Sequence, residues 1–238
     1  MDLNRKYDFP AGEVLLIDKP TDWTSFDVVN KIRHLMRQHL GIKKIKVGHA
    51  GTLDPLATGL LLVCVGKATK KINEFTGLDK EYTGTLFLGA TTPSYDRETD
   101  IDQEFETAHI SEEMILDASK QFLGKIKQIP PVYSAIKVDG TRAYKMARGN
   151  EKVDMPEREV YIHEFEISEA GIPESTFKVS CSKGTYIRSL AHDFGKSLKC
   201  GAYIQSLRRT RIGNHKVEDS ISIPQLEKFL ARQANKQA

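Results

Sequence analysis

Residues 48–65 read GHAGTLDPLATGLLLVCV, a polar, glycine-rich loop that runs directly into an uninterrupted apolar segment. Gly59 and Gly66 close the apolar run 60–65, and such a short run between glycines is typical of a strand buried on both faces. The loop 48–59 contains three glycines and a proline, a composition that excludes a regular helix or strand. We therefore expect a buried strand that presents an irregular polar loop, an arrangement typical of active sites.

Strand and helix patterns follow one another along the rest of the chain. Apolar runs and alternation predict strands at Val14–Ile17, Glu81–Leu88, Phe177–Cys181 and Ala202–Leu207. Helical spacing and N-terminal caps predict helices after Thr24, after Ser111, over Ile187–Leu198 and after Ser222. The apolar stripes of the first two helices are expected at Phe26, Val29, Ile32 and Met36, and at Met114, Ala118 and Phe122. No linker interrupts the 238 residues, so the prediction is one α+β domain with a mixed sheet.

The composition places the chain among ordinary globular proteins, with 39% hydrophobic and 28% charged residues. The longest apolar run is far shorter than the ~20 residues that cross a bilayer. The segment Met1–Arg5 has no apolar stretch followed by a cleavage site. A cytoplasmic location is therefore expected.

The cysteines Cys64, Cys181 and Cys200 are widely spaced and form no Cys-x-x-Cys pair. Three reduced, structural thiols are the expected state, because zinc sites need clustered ligands. This pattern also excludes the zinc-dependent base deaminases, whose metal is held by a His-x-Glu motif with a downstream Cys-x-x-Cys.

The charge is segregated along the chain, although the net charge is only +3. Lys120–Lys152 contains eight Lys and Arg against two acids, and Lys178–Lys216 contains nine against Asp193 alone. Asp96–Asp117 contains nine acids against Arg97. If the two basic segments share one face, they form a footprint for a phosphate backbone. Two separately solvated basic faces remain the alternative.

Asp54 and His49 are the candidate functional residues of the loop, and each also has an ordinary structural interpretation. An Asp before a Pro is a common helix N-cap, with Pro55 at the first helical position. A histidine such as His49 is commonly held by hydrogen bonds for structural reasons alone. Local sequence leaves both alternatives open.

Longer motifs indicate a family. Gly48–Pro55, followed by Ala57-Thr58-Gly59, resembles the catalytic motif of the bacterial tRNA pseudouridine synthase B family. The other matching segments are Asp18-Lys19-Pro20 with Thr24-Ser25, Lys80-Glu81-Tyr82 with Leu88-Gly89, Pro130-Pro131 with Ser134-Ala135, Lys137 and Gly140, Cys181–Arg188, and Leu207-Arg208-Arg209. The resemblance covers about Val14 to about Ile212, which is nearly the whole chain.

The resemblance implies the pseudouridine synthase fold, with a mainly antiparallel central sheet flanked by helices and loops. It further implies one catalytic domain over residues 1–238, with a basic RNA-gripping insertion at about 125–152. The chain ends at Ala238, so the expected form is the short one without a C-terminal PUA-like domain. Asp22 stands where the family pattern usually has glycine.

The implied reaction breaks the N1–C1′ bond of uridine in the T loop, turns the uracil and rejoins it through C5. By resemblance, Asp54 is the catalytic carboxylate, and Arg188 is the cation that keeps Asp54 ionised. Tyr82 is the tyrosine that stacks on the uracil; the alternative is an ordinary strand aromatic facing the core. The reaction has no net redox change or hydrolysis, so no cofactor and no metal are expected.

The same resemblance implies contacts with a flipped nucleoside and its RNA. His49 matches the residue that supports the extruded bases, and Leu207 matches a leucine that lines the pocket. The other predicted RNA-binding residues are Lys19, Tyr186, Arg208, Arg209, Lys137 and Arg142. The expected partner is the T stem-loop of tRNA, with a monomeric enzyme and no obligatory protein partner.

Two rival functions remain at this point. Guide-RNA-dependent pseudouridine synthases share the core motif but work with protein partners, and an inactive relative would only remodel tRNA. The presence of Asp54, Tyr82 and Arg188 together favours catalysis. A phosphate-binding loop at Gly66-Lys67 is excluded, because Leu61 and Ala68 occupy the positions that need Gly and Ser or Thr.

Overall fold

A computed structural model describes residues 5–134, 136–138, 140–149 and 153–235. The strands are β1 (Glu13–Lys19), β2 (Val47–His49), β3 (Thr58–Val65), β4 (Lys80–Leu88), β5 (Ala90–Thr91), β6 (Gln103–Glu104), β7 (Gly124–Gln128), β8 (Lys137–Val138), β9 (Thr141–Arg142), β10 (Arg158–Glu169), β11 (Glu174–Cys181), β12 (Ala202–Ile212) and β13 (His215–Lys216). The helices are α1 (Ser25–Leu40), α2 (Ile72–Thr76), α3 (Glu112–Lys120), α4 (Ala143–Arg148), α5 (Ile187–Ser197) and α6 (Ile223–Asn235). No helix in the described part of the chain has the length and apolar character needed to cross a membrane.

The chain divides into two compact units, one made of residues 1–81 and 208–238 and the other of residues 82–207. The boundaries fall inside β4 and β12, so each of these strands begins in one unit and ends in the other. Most of the sheet pairing is antiparallel, as in β1–β3 and β10–β11, and β3–β12 is parallel. The predicted α+β architecture with a mixed, mainly antiparallel sheet is confirmed. The expectation of a single domain stays a prediction.

In the first unit, β3 lies between β1 and the end of β12 and is buried on both faces. Leu61, Val63 and Val65 pack with α1 and α6 in one apolar cluster. Leu60 and Leu62 point to a second cluster on the other face. This alternation follows from the two-residue period of a strand, and burial of both faces explains the uninterrupted apolar run in the sequence.

In the second unit, the strand order is β12, β4, β11, β10, β7. Phe165 of β10 contacts Phe177 of β11 and Phe194 of α5 edge-to-face, at centroid distances of 6.1 and 5.5 Å. Phe122, just after α3, completes the cluster. These aromatic contacts attach α3 and α5 to the sheet.

Helix α1 begins as predicted. Thr24 accepts a hydrogen bond from the Asp27 backbone amide (3.0 Å), and the Asp27 carboxylate accepts one from the Thr24 amide (2.9 Å). The expected apolar stripes were wrong in detail, since Phe26 is 57% exposed and Met114 is also exposed. Leu35 and Ile115 are among the buried residues instead. Asp22 lies in the turn between β1 and α1 and has φ 61°. This is the left-handed conformation that glycine adopts readily.

The basic segment expected at 125–152 contains β7, the hairpin β8–β9 and helix α4. The short helix α4 follows the hairpin directly. Ala135, Asp139 and residues 150–152 of this segment lie outside the described residues, as do the side chains of Lys137, Lys145 and Arg148.

Strand β12 continues to Ile212, beyond the predicted end at Leu207. Arg208 and Arg209 are therefore strand residues and point to opposite faces. The Arg208 side chain is 40% exposed and pairs with Asp18 through two N–H···O contacts of 3.0 and 2.8 Å. Arg209 is only 1% exposed. Its expected contact with phosphate stays a prediction, and burial disfavours it.

The Arg209 guanidinium stabilises the polar loop through hydrogen bonds to backbone carbonyls. Its Nε donates to the Leu60 carbonyl (2.8 Å), its Nη2 to the Gly51 carbonyl (3.1 Å) and its Nη1 to the Thr52 carbonyl (3.4 Å). A Cβ on Gly59, which has φ 101°, would lie 2.3 Å from the Arg209 carbonyl oxygen. Glycine at this position is thus required for the close approach of the β3 and β12 backbones.

We expect Arg209→Lys to lower the free energy of unfolding by about 2–4 kcal/mol, because a lysine lacks the planar fork that reaches all three carbonyls. Denaturant unfolding measures the loss. Arg208→Lys is the matched control at the next position, and it should cost less than about 1 kcal/mol because its ion pair is partly exposed. Equal losses in the two variants would contradict the supporting role of Arg209.

Candidate active site

The loop that carries Asp54 connects β2 to β3 in the first unit and is anchored to α1. The buried Ser25 hydroxyl accepts a hydrogen bond from the Leu53 amide (2.8 Å) and donates one to the Leu53 carbonyl (3.1 Å). The Ala50 amide donates to the Leu62 carbonyl at 2.9 Å. These bonds fix the loop on both sides of Thr52, so the residue that follows Leu53 has a defined place.

Asp54 starts a turn and does not cap a helix. The Ala57 amide donates to the Asp54 carbonyl at 3.1 Å, with Pro55 and Leu56 at the two central positions. The chain then enters β3 at Thr58. The helix N-cap interpretation of Asp54 is therefore wrong, and the aspartate belongs to a tight turn at the entrance of a buried strand.

Lys19, at the end of β1, ties the Asp54 turn to the loop after β1. Its Nζ donates to the carbonyls of Pro20 (2.9 Å), Trp23 (2.5 Å) and Pro55 (3.1 Å). The side chain is fully buried, and burial lowers the pKa of Lys19 to about 8, while the Asp54 carboxylate acts in the opposite direction. The RNA contact expected of Lys19 stays a prediction; the structure gives its ammonium three carbonyl partners within the protein.

His49 ends β2 and is half-buried. Burial lowers the pKa of His49, and the charge of Arg209 lowers it further. A neutral imidazole is therefore favoured near pH 7. Lys19 and Arg209 thus donate to carbonyls of the Asp54 loop, and His49 lies at the end of β2, where that loop begins. Arg208 instead contacts Asp18 on the other face of β12.

The other predicted catalytic residues, Tyr82 and Arg188, belong to the second unit, as does the predicted pocket residue Leu207. Tyr82 is buried on β4, and Leu207 is partly buried on β12. Arg188 is the second residue of α5 and is 3% exposed. The pairing of Arg188 with Asp54 and the stacking role of Tyr82 stay predictions.

The buried Arg188 guanidinium is held by groups of its own unit. Its Nη1 donates to the Ser94 carbonyl (2.9 Å), and its Nη2 donates to the Tyr133 carbonyl (2.8 Å). Its Nε lies 3.6 Å from Oδ2 of Asp96, which is 5% exposed. Burial of an ion pair requires such additional hydrogen bonds, since removing both charges from water is costly. The guanidinium therefore has a fixed orientation.

Sequence reasoning missed Asp96 as part of this group. It appeared only as the first of nine acids in the stretch 96–117. No local pattern separates it from the exposed acids that follow, because its partner lies on α5, far away in the chain. Its position becomes visible only through burial and the contact with Arg188.

Tyr186 precedes α5 and is fixed by a buried amide. Its backbone N–H donates to Oε1 of Gln128 (2.8 Å), and its carbonyl accepts from Nε2 of the same side chain (3.0 Å). The Arg158 guanidinium lies 5.2 Å from the centre of the Tyr186 ring. Gln128 thus sets the start of the helix that carries Arg188, and sequence reasoning did not single it out.

The hairpin residues expected to grip RNA are only partly described. The backbone of Lys137 lies in β8 and pairs with Arg142 of β9. Arg142 is exposed. Among the described residues, no group of three or more His, Cys, Asp or Glu side chains is placed to hold a metal ion.

Known proteins similar to this chain agree on one family. The profile of the TruB family pseudouridylate synthase N-terminal domain matches residues 37–187. The profile of the tRNA pseudouridylate synthase B C-terminal domain matches residues 188–238.

The relatives named tRNA pseudouridine synthase B include the following two proteins. The protein from Flavobacterium johnsoniae is 56% identical over 94% of this chain and 98% of its own length. The protein from Phocaeicola vulgatus is 53% identical over 94% of this chain and 96% of its own length.

A solved structure of an H/ACA ribonucleoprotein, bound to a substrate RNA containing 2′-deoxyuridine, contains a similar chain. The TM-score is 0.70 at 27% identity, over 97% of this chain. This chain spans 56% of the length of that solved chain. From the two profiles and the close relatives we conclude that the chain belongs to the TruB family of pseudouridylate synthases.

Proposed function

We propose that the protein is a tRNA pseudouridine synthase that converts uridine 55 in the T loop of transfer RNA to pseudouridine. The observation that carries the proposal is the geometry of the Asp54 turn, which Ser25, Lys19 and Arg209 hold at the entrance of β3. A catalytic carboxylate must be fixed relative to its substrate, and buried hydrogen bonds to the surrounding backbone provide that fixation. Family membership and relatives named for the same activity support the assignment.

The reaction needs an ionised carboxylate beside the ribose or base. In our proposal Asp54 supplies it. The attraction between Asp54 and the buried Lys19 favours the charged forms of both groups, which opposes the neutralising effect of burial. The uracil is cut from C1′, turns, and rejoins through C5; C5 loses a proton and N1 gains one, so the product is an isomer of uridine. No electrons are gained or lost, so the protein's own side chains suffice for the chemistry.

Tyr82 and Arg188 complete the proposed catalytic group. Tyr82 stacks on the uracil and takes part in removing the C5 proton, whereas Arg188 favours the ionised form of the carboxylate. Because the reacting atoms are shielded in a stacked helix, the nucleoside must swing out, and unstacking costs a few kcal/mol that RNA contacts offset. In this proposal His49 supports the extruded bases, and Leu207 lines the pocket.

The basic segment from β7 to α4 is the proposed grip on the RNA backbone. Arg142 is exposed on the hairpin, next to the backbone of Lys137. Tyr186 and Arg208 are further RNA-contact candidates, and the partly exposed Arg208 fits that role better than the buried Arg209. The proposed partner is the T stem-loop of tRNA. The enzyme acts as a cytoplasmic monomer without an obligatory protein partner or cofactor.

We expect Asp54→Asn to abolish pseudouridine formation while tRNA binding is retained, because the amide keeps the shape of the side chain and loses its charge. Incubation with unmodified tRNA, followed by mapping of pseudouridine, measures the loss. Asp22→Asn is the matched control. Asp22 is exposed, its charge also acts on Lys19, and asparagine tolerates its positive φ.

Asp22→Asn should retain full turnover, with the modification at the T-loop position. Turnover by Asp54→Asn would refute the catalytic assignment. Pseudouridine at another position of the tRNA would refute the T-loop assignment and leave the chemistry intact.

The grip hypothesis concerns the charges of the basic segment. We expect the combined variant Lys137→Ala/Arg142→Ala/Lys145→Ala to weaken tRNA binding and to reduce the slope of log K against log salt by about 2–3, close to one counterion per lost phosphate contact. Binding titrations at several salt concentrations measure the slope.

Lys43→Ala/Lys44→Ala/Lys46→Ala removes the same net charge from the exposed connection between α1 and β2 and is the control. Its slope should stay close to that of the unchanged protein. If both triple variants lose the same slope, general charge and not a local grip determines the binding.

A further inference from the structure

Tyr95 holds an unfavourable backbone conformation beside the buried Arg188 group. Its φ is 62°, in the left-handed region that favours glycine, although it carries a large side chain. Its amide donates to the Thr92 carbonyl (3.1 Å), and its carbonyl accepts from the Ile204 amide (3.0 Å). Such a conformation persists only where surrounding contacts determine it, so the contacts of Tyr95 identify what it is held for.

The Tyr95 ring stacks on His192 of α5. The ring centroids are 4.0 Å apart and the planes differ by 17°, which is closer and flatter than the Phe87–Tyr203 stack of the same unit (5.0 Å, 20°). Burial lowers the pKa of the His192 imidazole, with the Lys196 charge acting in the same direction. Among the described residues its buried Nδ1 has no hydrogen-bond partner. The ring of His192 is therefore fixed by packing.

Two consecutive residues thus contact two positions one turn apart on α5. Tyr95 stacks on His192, and Asp96 pairs with Arg188, four residues earlier on the same helix face. The segment before them also binds the guanidinium, because the Ser94 carbonyl accepts from Arg188 Nη1 at 2.9 Å.

Hydrogen bonds among neighbouring residues of the same segment stabilise the turn around Tyr95. The hydroxyls of Thr92 and Ser94 donate to the Asp96 carbonyl at 2.7 and 3.1 Å, and the Glu98 amide donates to Oδ1 of Asp96 at 2.9 Å. The two bonds to the Asp96 carbonyl close the turn, and the bond from Glu98 holds Oδ1 of the carboxylate whose Oδ2 lies near Arg188. These bonds depend on the left-handed residue between Ser94 and Asp96, since a different φ at Tyr95 would turn the two partners of Arg188 apart.

We propose that Tyr95 and His192 are positioning residues for Arg188. Their ring stack packs the 94–96 turn against α5. The turn then holds the Arg188 guanidinium in its catalytic orientation through the Ser94 carbonyl and the Asp96 carboxylate. The inference rests on the proposed catalytic role of Arg188. Tyr95 and His192 touch no reacting atom in this proposal; they act through the turn.

The test is single-turnover pseudouridine formation together with tRNA binding. Tyr95→Asn removes the ring and keeps a residue that tolerates positive φ. We expect its single-turnover rate constant to fall by between about 10- and 100-fold, a range typical of misplaced catalytic groups. The dissociation constant for tRNA should stay within about twofold, because general RNA affinity is supplied by other, phosphate-binding groups. His192→Ala should give the same pattern.

Conservative variants and a double variant distinguish positioning from a merely structural effect. Tyr95→Phe and His192→Phe keep stacked rings and should restore most of the rate. Tyr95→Asn/His192→Ala should be no slower than the slower single variant, because both changes remove one stack. Phe87→Ala disrupts the Phe87–Tyr203 stack instead and should leave the rate unchanged.

Several results would overturn the proposal. They are an unchanged rate in Tyr95→Asn, additive losses in the double variant, or no recovery with the phenylalanine variants. If Tyr95→Asn does not fold, the comparison of His192→Ala with His192→Phe decides. Failure of both ring-removing variants to fold would also overturn it, because the stack would then hold the whole unit together.

Arg188→Lys, measured in parallel, distinguishes the catalytic role of Arg188 from the positioning role of Tyr95 and His192. A low rate constant in Arg188→Lys with an unchanged rate constant in Tyr95→Asn refutes only the positioning role. A fast Arg188→Lys refutes the catalytic role proposed for Arg188, and the inference built on it fails as well.

Discussion

Burial of β3 on both faces is the constraint on which the first unit depends. Its alternate residues enter two apolar clusters, so the strand cannot shift by one position without exchanging every side chain between them. Gly59 at its start leaves no room for a side chain against the β12 backbone. The loop before β3 is therefore fixed in position, and Asp54 lies in the tight turn where that loop enters the strand.

Buried cations organise the irregular backbone in both units. Lys19 and Arg209 donate to carbonyls of the Asp54 loop, and Arg188 donates to the carbonyls of Ser94 and Tyr133. Loops have few backbone partners of their own, and a charged donor satisfies several carbonyls at once. The basic residues of the sequence thus fall into two classes, exposed ones suited to phosphates and buried ones that shape loops. Net charge alone does not separate them.

Much of the fold follows from local pattern. The apolar run 60–65, the capping box of Thr24 and the amphipathic α5 were predicted and are present. Strand β10 was missed, because a register shift between Ile162 and Glu164 interrupts the simple alternation that marks a strand. The stripe of α1 was misassigned at Phe26, since helical spacing alone does not say which side faces the sheet.

The sequence by itself determined the family motif, the order of most elements and the identity of Asp54 as the candidate carboxylate, because these depend on residues close together in the chain. Only the tertiary structure decided that Arg209 is buried while Arg208 is partly exposed, and that Asp96 and Tyr95 meet α5. Arg208 and Arg209 differ in burial because β12 continues through both, and successive residues of a strand point to opposite faces. The contacts of Tyr95 and Asp96 with α5 depend on packing between segments distant in sequence, which no local pattern encodes.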